Sequence, residues 1–434
     1  MNLTTHTIPG LTLKSHRFDL PLDYANPSTT INVFARELIA PEKNNADLPY
    51  LVFFQGGPGF GAPRPAGASG WIKRALSEFR VLLLDQRGTG LSTPITAQTM
   101  RHFASSQAQA DYLQHFRADN IVRDAEAIRT ALIGEKPWSI LGQSFGGFCA
   151  MRYLSAAPGG LKEVLITGGI PSLTRTADEI YRATYPRVIA KNRRYYERYP
   201  DDVQRVRDIV KHLAENEVQM PGGGRLTVQR FLQLGISFGM SDGFEAIHYL
   251  LEDAFVESPR GSARGLELNR NFLSAVEQAQ HFDTSPIYTL LQEACYTQAV
   301  ASNWSAARVL SEFPEFNHDA NTQRPVLFTG EMVYPWMMDA YPQLQPLKAA
   351  AEILAKKSDW PMLYDVECLR QNRVPVAAAV YYDDMYVHRE FSEETARIVP
   401  NLKLWVTSEH EHNGLRADGE GVLDRLLKMA RGEL

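Results

Sequence analysis

Short runs of consecutive apolar residues, each ending in glycines, recur along the first part of this chain. Leu51-Val52-Phe53-Phe54 runs into Gln55-Gly56-Gly57-Pro58-Gly59-Phe60-Gly61, and Val81-Leu82-Leu83-Leu84 into Asp85-Gln86-Arg87-Gly88-Thr89-Gly90-Leu91-Ser92. Ser139-Ile140-Leu141 leads into Gly142-Gln143-Ser144-Phe145-Gly146-Gly147, and Val164-Leu165-Ile166-Thr167 into Gly168-Gly169. Apolar runs this short, with no polar face, predict strands buried on both sides. Between them the period lengthens. Ile121, Val122, Ala125, Ile128 and Leu132 share one helical face and predict a helix from about Asn120 to Ile133, and Phe148, Met151, Tyr153 and Leu154 predict another after Ser144. Ahead of these, strand-like alternation from about His6 to Ala40 is broken by turn residues at Pro21 to Pro27 and predicts two antiparallel strands. Strands alternating with helices make an α/β fold with a mostly parallel, doubly wound sheet whose loops gather at the C-terminal strand ends.

From about Pro171 the rhythm changes to helical stretches: Val203 to Ala214, Phe231 to Phe238, Phe244 to Phe255, Phe272 to Ala279 and Ile287 to Ala301. The basic stretch Arg187 to Arg198 reads as a solvated helix face. Strand pattern returns at Val374 to Tyr382, which ends in Asp383-Asp384-Met385-Tyr386, and at Leu402 to Thr407, which ends in Ser408-Glu409-His410-Glu411-His412-Asn413-Gly414. A closing helix is predicted from Val422 to Met429. The expected organisation is a core of residues 1–170 and 373–434, interrupted by a helical cap over 171–372.

Composition narrows the function without choosing it. The 434 residues are 44% hydrophobic and 22% charged, ordinary for a globular protein, and the net charge of −5 with no long Lys/Arg run leaves no footprint for nucleic acid. Met1 to Thr7 has neither a basic start nor an apolar core, and no run of about 18 apolar residues occurs, so no membrane association and a cytoplasmic location are expected. Cys149, Cys295 and Cys368 are far apart without metal-ligand spacing; reduced thiols, no metal and no cofactor are expected. Nothing in the pattern speaks to oligomeric state.

Gly142-Gln143-Ser144-Phe145-Gly146, between a buried strand and a helix, has the form of a nucleophile elbow, in which a strained turn lifts the serine Oγ above the sheet edge. An α/β-hydrolase orders its triad as Ser, then Asp or Glu, then His, each on a loop after a strand. Ser144, the Asp383/Asp384 pair and the His410/His412 pair stand in that order. Asp384 is favoured as farther from the strand end, and His412 because Gly414 lets its loop turn back. The backbone amides of Gly57, or a neighbour, and of Phe145 are the expected oxyanion donors. Asp85 and Arg87 are expected to brace the glycine turns from beneath.

The glycine turn Gly56-Gly57-Pro58-Gly59, the run Asp85 to Ser92, the elbow Gly142 to Gly147 and Asp384-Met385-Tyr386-Val387 together resemble the prolyl aminopeptidases, or proline iminopeptidases. The long cap and Glu411-His412-Asn413-Gly414-Leu415-Arg416 resemble the larger bacterial subgroup; Gln55 departs from the His that often precedes the glycines. The resemblance implies release of N-terminal proline from peptides. Such a substrate brings a protonated secondary amine that must be paired once out of water, so cap carboxylates are expected at the site. Glu245, Glu293 and Glu331, each in apolar surroundings, are the candidates, with Phe145, Tyr296, Tyr334 and Trp336 around the pyrrolidine ring. The alternatives are a carboxylic-ester hydrolase, an aminopeptidase of other specificity, or a binding protein that keeps the fold without catalysis.

Overall fold

The computed structural model describes residues 4–256, 267–318 and 324–434; the first three residues of the Met1 to Thr7 stretch lie outside them. Nine strands form one sheet: β1 (Thr4–Ile8), β2 (Leu11–Pro21), β3 (Thr30–Ile39), β4 (Tyr50–Phe54), β5 (Arg80–Asp85), β6 (Trp138–Gln143), β7 (Leu161–Thr167), β10 (Val376–Tyr381) and β11 (Leu402–Thr407). Their order is β1-β2-β3-β5-β4-β6-β7-β10-β11. The first four pair antiparallel and the rest are parallel. The N-terminal region thus holds three strands rather than the two expected, because Pro9-Gly10 makes an extra tight turn with Gly10 at φ +76°.

Apolar runs without a polar face are explained by cover on both sides. Val52, Phe54, Leu82, Leu84, Ile140, Val164 and Ile166 pack on one face with the helices Ala118–Ile133 and Phe145–Ala156. Their alternating neighbours Leu51, Phe53, Val81, Leu83, Leu141 and Leu165 pack on the other with Gly70–Ala75 and Gly419–Arg431. Side chains alternate across a strand, so both layers take from the same run.

Between β7 and β10 the regular structure of the described residues is mostly helical, with a two-stranded ribbon of β8 (Phe255–Val256) and β9 (Glu267–Leu268). The longest helix there, Ala177–Arg198, starts at a capping box of Thr176 and Glu179. The helix expected over Ile287 to Ala301 is shorter: Pro286–Leu291 is α-helical, Glu293–Cys295 is one 3₁₀ turn, and the chain then leaves the helix. Ala299, Asn303 and Trp304 have φ of +53°, +47° and +56°, left-handed backbone that ends any right-handed helix. Among the described residues no helix is long and apolar enough to cross a membrane.

Candidate active site

Ser144 sits at the β6-to-helix turn with φ +53° and ψ −122°, a conformation that non-glycine residues rarely adopt. Its amide donates to Thr167 O at 2.9 Å, and its carbonyl accepts from Gly147 N at 2.7 Å, so backbone bonds hold the turn. The glycines around it are there for space. A Cβ on Gly142 would lie 2.5 Å from Gly146 O, and one on Gly146 only 1.9 Å from Phe54 O. Gly146→Ala is therefore expected to cost about 2–3 kcal/mol, by overpacking against backbone that cannot yield; thermal melts of the two proteins measure it.

Two loops bring the partners. After β10, Asp384 is 2% exposed, and its Oδ1 accepts from the amides of Tyr386 and Val387 at 2.8 and 3.1 Å. After β11, His412 is buried with Nδ1 2.7 Å from Asp384 Oδ2. A carboxylate only accepts, so the ring donates from Nδ1 and leaves Nε2 as its basic nitrogen. Desolvation pulls the imidazole pKa down, but the charge and hydrogen bond of Asp384, with Glu331 and Glu411, outweigh it and leave it raised. The neighbouring residues are elsewhere engaged. Asp383 accepts from Arg194 Nη1 at 3.0 Å, and His410 lies edge-on to Trp405 and Tyr381.

Ser144, His412, Gly56, Gly57 and Glu331 line one cleft of about 940 Å³. A Cβ on Gly56 would lie 2.9 Å from Ser144 Cβ, so the glycine turn rests directly against the serine. Phe145 begins the helix that follows Ser144, which directs its amide to the elbow end of the cleft. Beneath the turns, Asp85 accepts from the amides of Ala62 and Leu91 at 2.9 and 2.8 Å and pairs with Arg64. Arg87 instead forms a buried bidentate pair with Asp124, at 2.7 and 2.6 Å.

A family model for the alpha/beta hydrolase fold matches residues 49–253. The crystal structure of a proline iminopeptidase from Mycobacterium smegmatis aligns over 96% of this chain and 100% of its own, at 15% identity and a TM-score of 0.43. A proline iminopeptidase of Aspergillus aculeatus is 36% identical over 98% of this chain and 95% of its own. A proline iminopeptidase of Aeromonas sobria is 49% identical over 98% of each chain. The chain belongs to the proline iminopeptidase family.

In this family member the three candidate glutamates have separate fates. Glu331 alone of them lines the cleft. Its carboxyl is pushed up to about 8 by desolvation; His412 opposes the shift, the Asp384 charge adds to it, and the hydroxyls of Tyr288 and Tyr296 oppose it. Glu293 is buried away from the cleft lining, where its oxygens accept from the amides of Ser305 and Ala306 at 3.0 and 2.9 Å and cap the helix Ser305–Leu310. Burial raises its pKa and those amides oppose the rise. Glu245 sits on the outer helix Gly243–Glu252, bonded to Arg198 at 2.5 Å and to the Tyr199 hydroxyl at 3.1 Å.

The aromatic wall also differs from the expected set. Phe60, Phe282, Tyr288 and Tyr386 line the cleft, whereas Phe145, Tyr296, Tyr334 and Trp336 are not among its lining residues. Tyr334 is a core residue, 3.1 Å from the Tyr185 hydroxyl. Tyr386 lies edge-on to His412 at 4.6 Å and donates its hydroxyl to Ile236 O. Its position two residues after Asp384 is the one sequence signal for it. Ile236, Met240 and Tyr288 come from the helical insertion and have none.

Proposed function

We propose that the protein is a serine exopeptidase that releases proline from the N-terminus of peptides. The observation that carries this reading is Glu331: a desolvated carboxyl on the same cleft as Ser144 and the Asp384–His412 pair. It suits a substrate that brings one positive charge beside the scissile bond, since an arriving ammonium regains in the ion pair what it loses in hydration. Membership of the family supports the same substrate, as do the named relatives.

The steps follow from the residues. His412 Nε2 takes the Ser144 hydroxyl proton as Oγ bonds to the prolyl carbonyl carbon, with Asp384 fixing the tautomer and offsetting the imidazolium charge. The oxyanion is held by the amides of Gly57 and Phe145. Collapse breaks the C–N bond, and His412 returns its proton to the departing peptide amine. Water then repeats the sequence, cleaving the acyl-enzyme to free proline and restoring Ser144. Residues 1–170 and 373–434 form the hydrolase core in this reading, and 171–372 a cap that supplies the amine-binding wall; Glu293 and Glu245 act only through its fold. Free cysteines support a reducing, cytoplasmic setting.

The test is a comparison of prolyl anilide, its N-acetylated form and a short-chain ester. Rapid cleavage of the free-amine compound, with none of the acetylated one, is expected. Cleavage of the ester alone would replace this reading by that of an ester hydrolase.

A further inference from the structure

Within the basic stretch Arg187 to Arg198, whose Arg193 and Arg198 are exposed as expected of a solvated face, Arg187, Lys191 and Arg194 are turned toward the two loops that carry Asp384 and His412. On the helix Ala177–Arg198, Arg187, Lys191 and Arg194 are spaced by four and three residues and so share a face. The Lys191 side chain is only 3% exposed, and its Nζ lies 2.6 Å from Glu411 Oε1. Arg194 Nη1 donates to Asp383 Oδ2 at 3.0 Å. Arg187 stands 4.0 Å from the same carboxylate. Glu411 and Asp383 are the residues immediately before His412 and Asp384. One rigid helix of the insertion therefore grips both loops, each a single peptide away from the residue that matters.

Glu411 depends on this contact. Its Oε2 has no hydrogen-bond partner among the described residues, and its other cation, Arg194, is 4.0 Å away. Burial raises the Glu411 pKa and Lys191 opposes the rise. From the same insertion, Gly239 O accepts from His412 N at 3.1 Å, and Ser241 N donates to Asn413 Oδ1 at 3.0 Å. The imidazole is thus bracketed by the insertion on both sides of its own residue.

We propose that Lys191 is a positioning residue for His412, clamping Glu411 so that the insertion forms part of the frame that orients the acid–base pair. The proposal rests on the reading of Asp384 and His412 as the pair that activates Ser144. It follows that the insertion cannot lift away as a hinged lid without unseating His412, so peptides enter through the mouth of the cleft.

The experiment measures how fast a neutral alkyl fluorophosphonate labels Ser144, alongside kcat and KM on prolyl anilide. In labelling, Oγ bonds to phosphorus, fluoride leaves and His412 takes the hydroxyl proton, with no amine-binding step. Each variant is compared on the alkaline plateau of its own labelling-rate profile, where His412 is neutral. Lys191→Met is expected to slow labelling by about 10–100-fold and to lower kcat by the same factor, with KM within about threefold, as a base displaced by a fraction of an ångström would. Lys191→Arg should recover most of both. Should Lys191→Met fail to fold, the near-isosteric Glu411→Gln is expected to slow labelling by about tenfold. Unchanged labelling in the folded variant overturns the clamp, as does an equal loss in Lys191→Met and Lys191→Arg, which would make the role one of packing alone. A wild-type protein that takes no label overturns instead the catalytic reading beneath it.

Discussion

Ser144→Ala is expected to lower kcat on prolyl anilide by about 10⁴–10⁶-fold while leaving the melting temperature within about 2 °C. The size of the loss follows from removing the only atom that forms the covalent intermediate. What remains is the residual effect of the oxyanion amides and of binding. The small effect on stability follows from the backbone. The turn's hydrogen bonds from Ser144 N and to Ser144 O are made by main-chain atoms, and alanine carries the same Cβ at φ +53° as serine does. A rate that survives the substitution would remove Ser144 from the mechanism. A collapse of stability with it would leave a structural role instead.

Glu331→Gln is expected to reduce kcat/KM for the free-amine anilide by about 10²-fold or more, since it leaves an ammonium in a desolvated site with an uncharged neighbour. Fluorophosphonate labelling of Ser144, which involves no cation, should stay within about threefold at high pH. Because Glu331 holds its proton up to about 8, it carries no charge over the acid range, and the acid limb of labelling, set by His412 and Asp384, should keep its position in the variant. Stability gives a second, opposite readout. The folded protein holds the Glu331 proton up to about 8, against an ordinary value of 4.5. The stability linked to that proton is fully present below about 4.5 and is lost as pH rises through about 8. Glutamine does not ionise, so the variant should lose this pH dependence and melt at a higher temperature than the wild type at pH 8. A variant that melts lower there, with its free-amine kinetics unchanged, would remove Glu331 as the amine partner.

The split between these residues explains what was legible in the chain. The elbow was, because close backbone contact leaves no room for a side chain: the 1.9 Å that a Gly146 Cβ would have to Phe54 O is a constraint written directly as glycine. The helix over Ile287 to Ala301 was misread because its residues have helical periodicity while Ala299 takes left-handed backbone, its amide bonded to Trp360 O at 2.8 Å. That partner is remote in sequence and no local pattern announces it. The basic stretch was legible only in part: Arg193, Arg194 and Arg198 are exposed as expected, while Lys191 is buried against Glu411. Spacing puts Arg187, Lys191 and Arg194 on one face, but it does not say that the facing surface is the pair of loops after β10 and β11.

By itself, the sequence determined the strand runs, the glycine-flanked turns and the order of Ser144, the Asp383/Asp384 pair and the His410/His412 pair; the contact of His412 with Asp384 is tertiary. The runs and turns depend on periodicity and on steric limits that act between residues near one another in the chain. Only tertiary structure separates Glu245, Glu293 and Glu331. All three stand in similar apolar contexts, and burying a carboxylate has the same cost wherever it happens. What differs is the partner: Arg198 at the surface for the first, the amides of Ser305 and Ala306 for the second, and an open cleft beside Asp384 and His412 for the third. The first two carboxylates are already satisfied within the fold; the third faces the space where a substrate's charge would arrive.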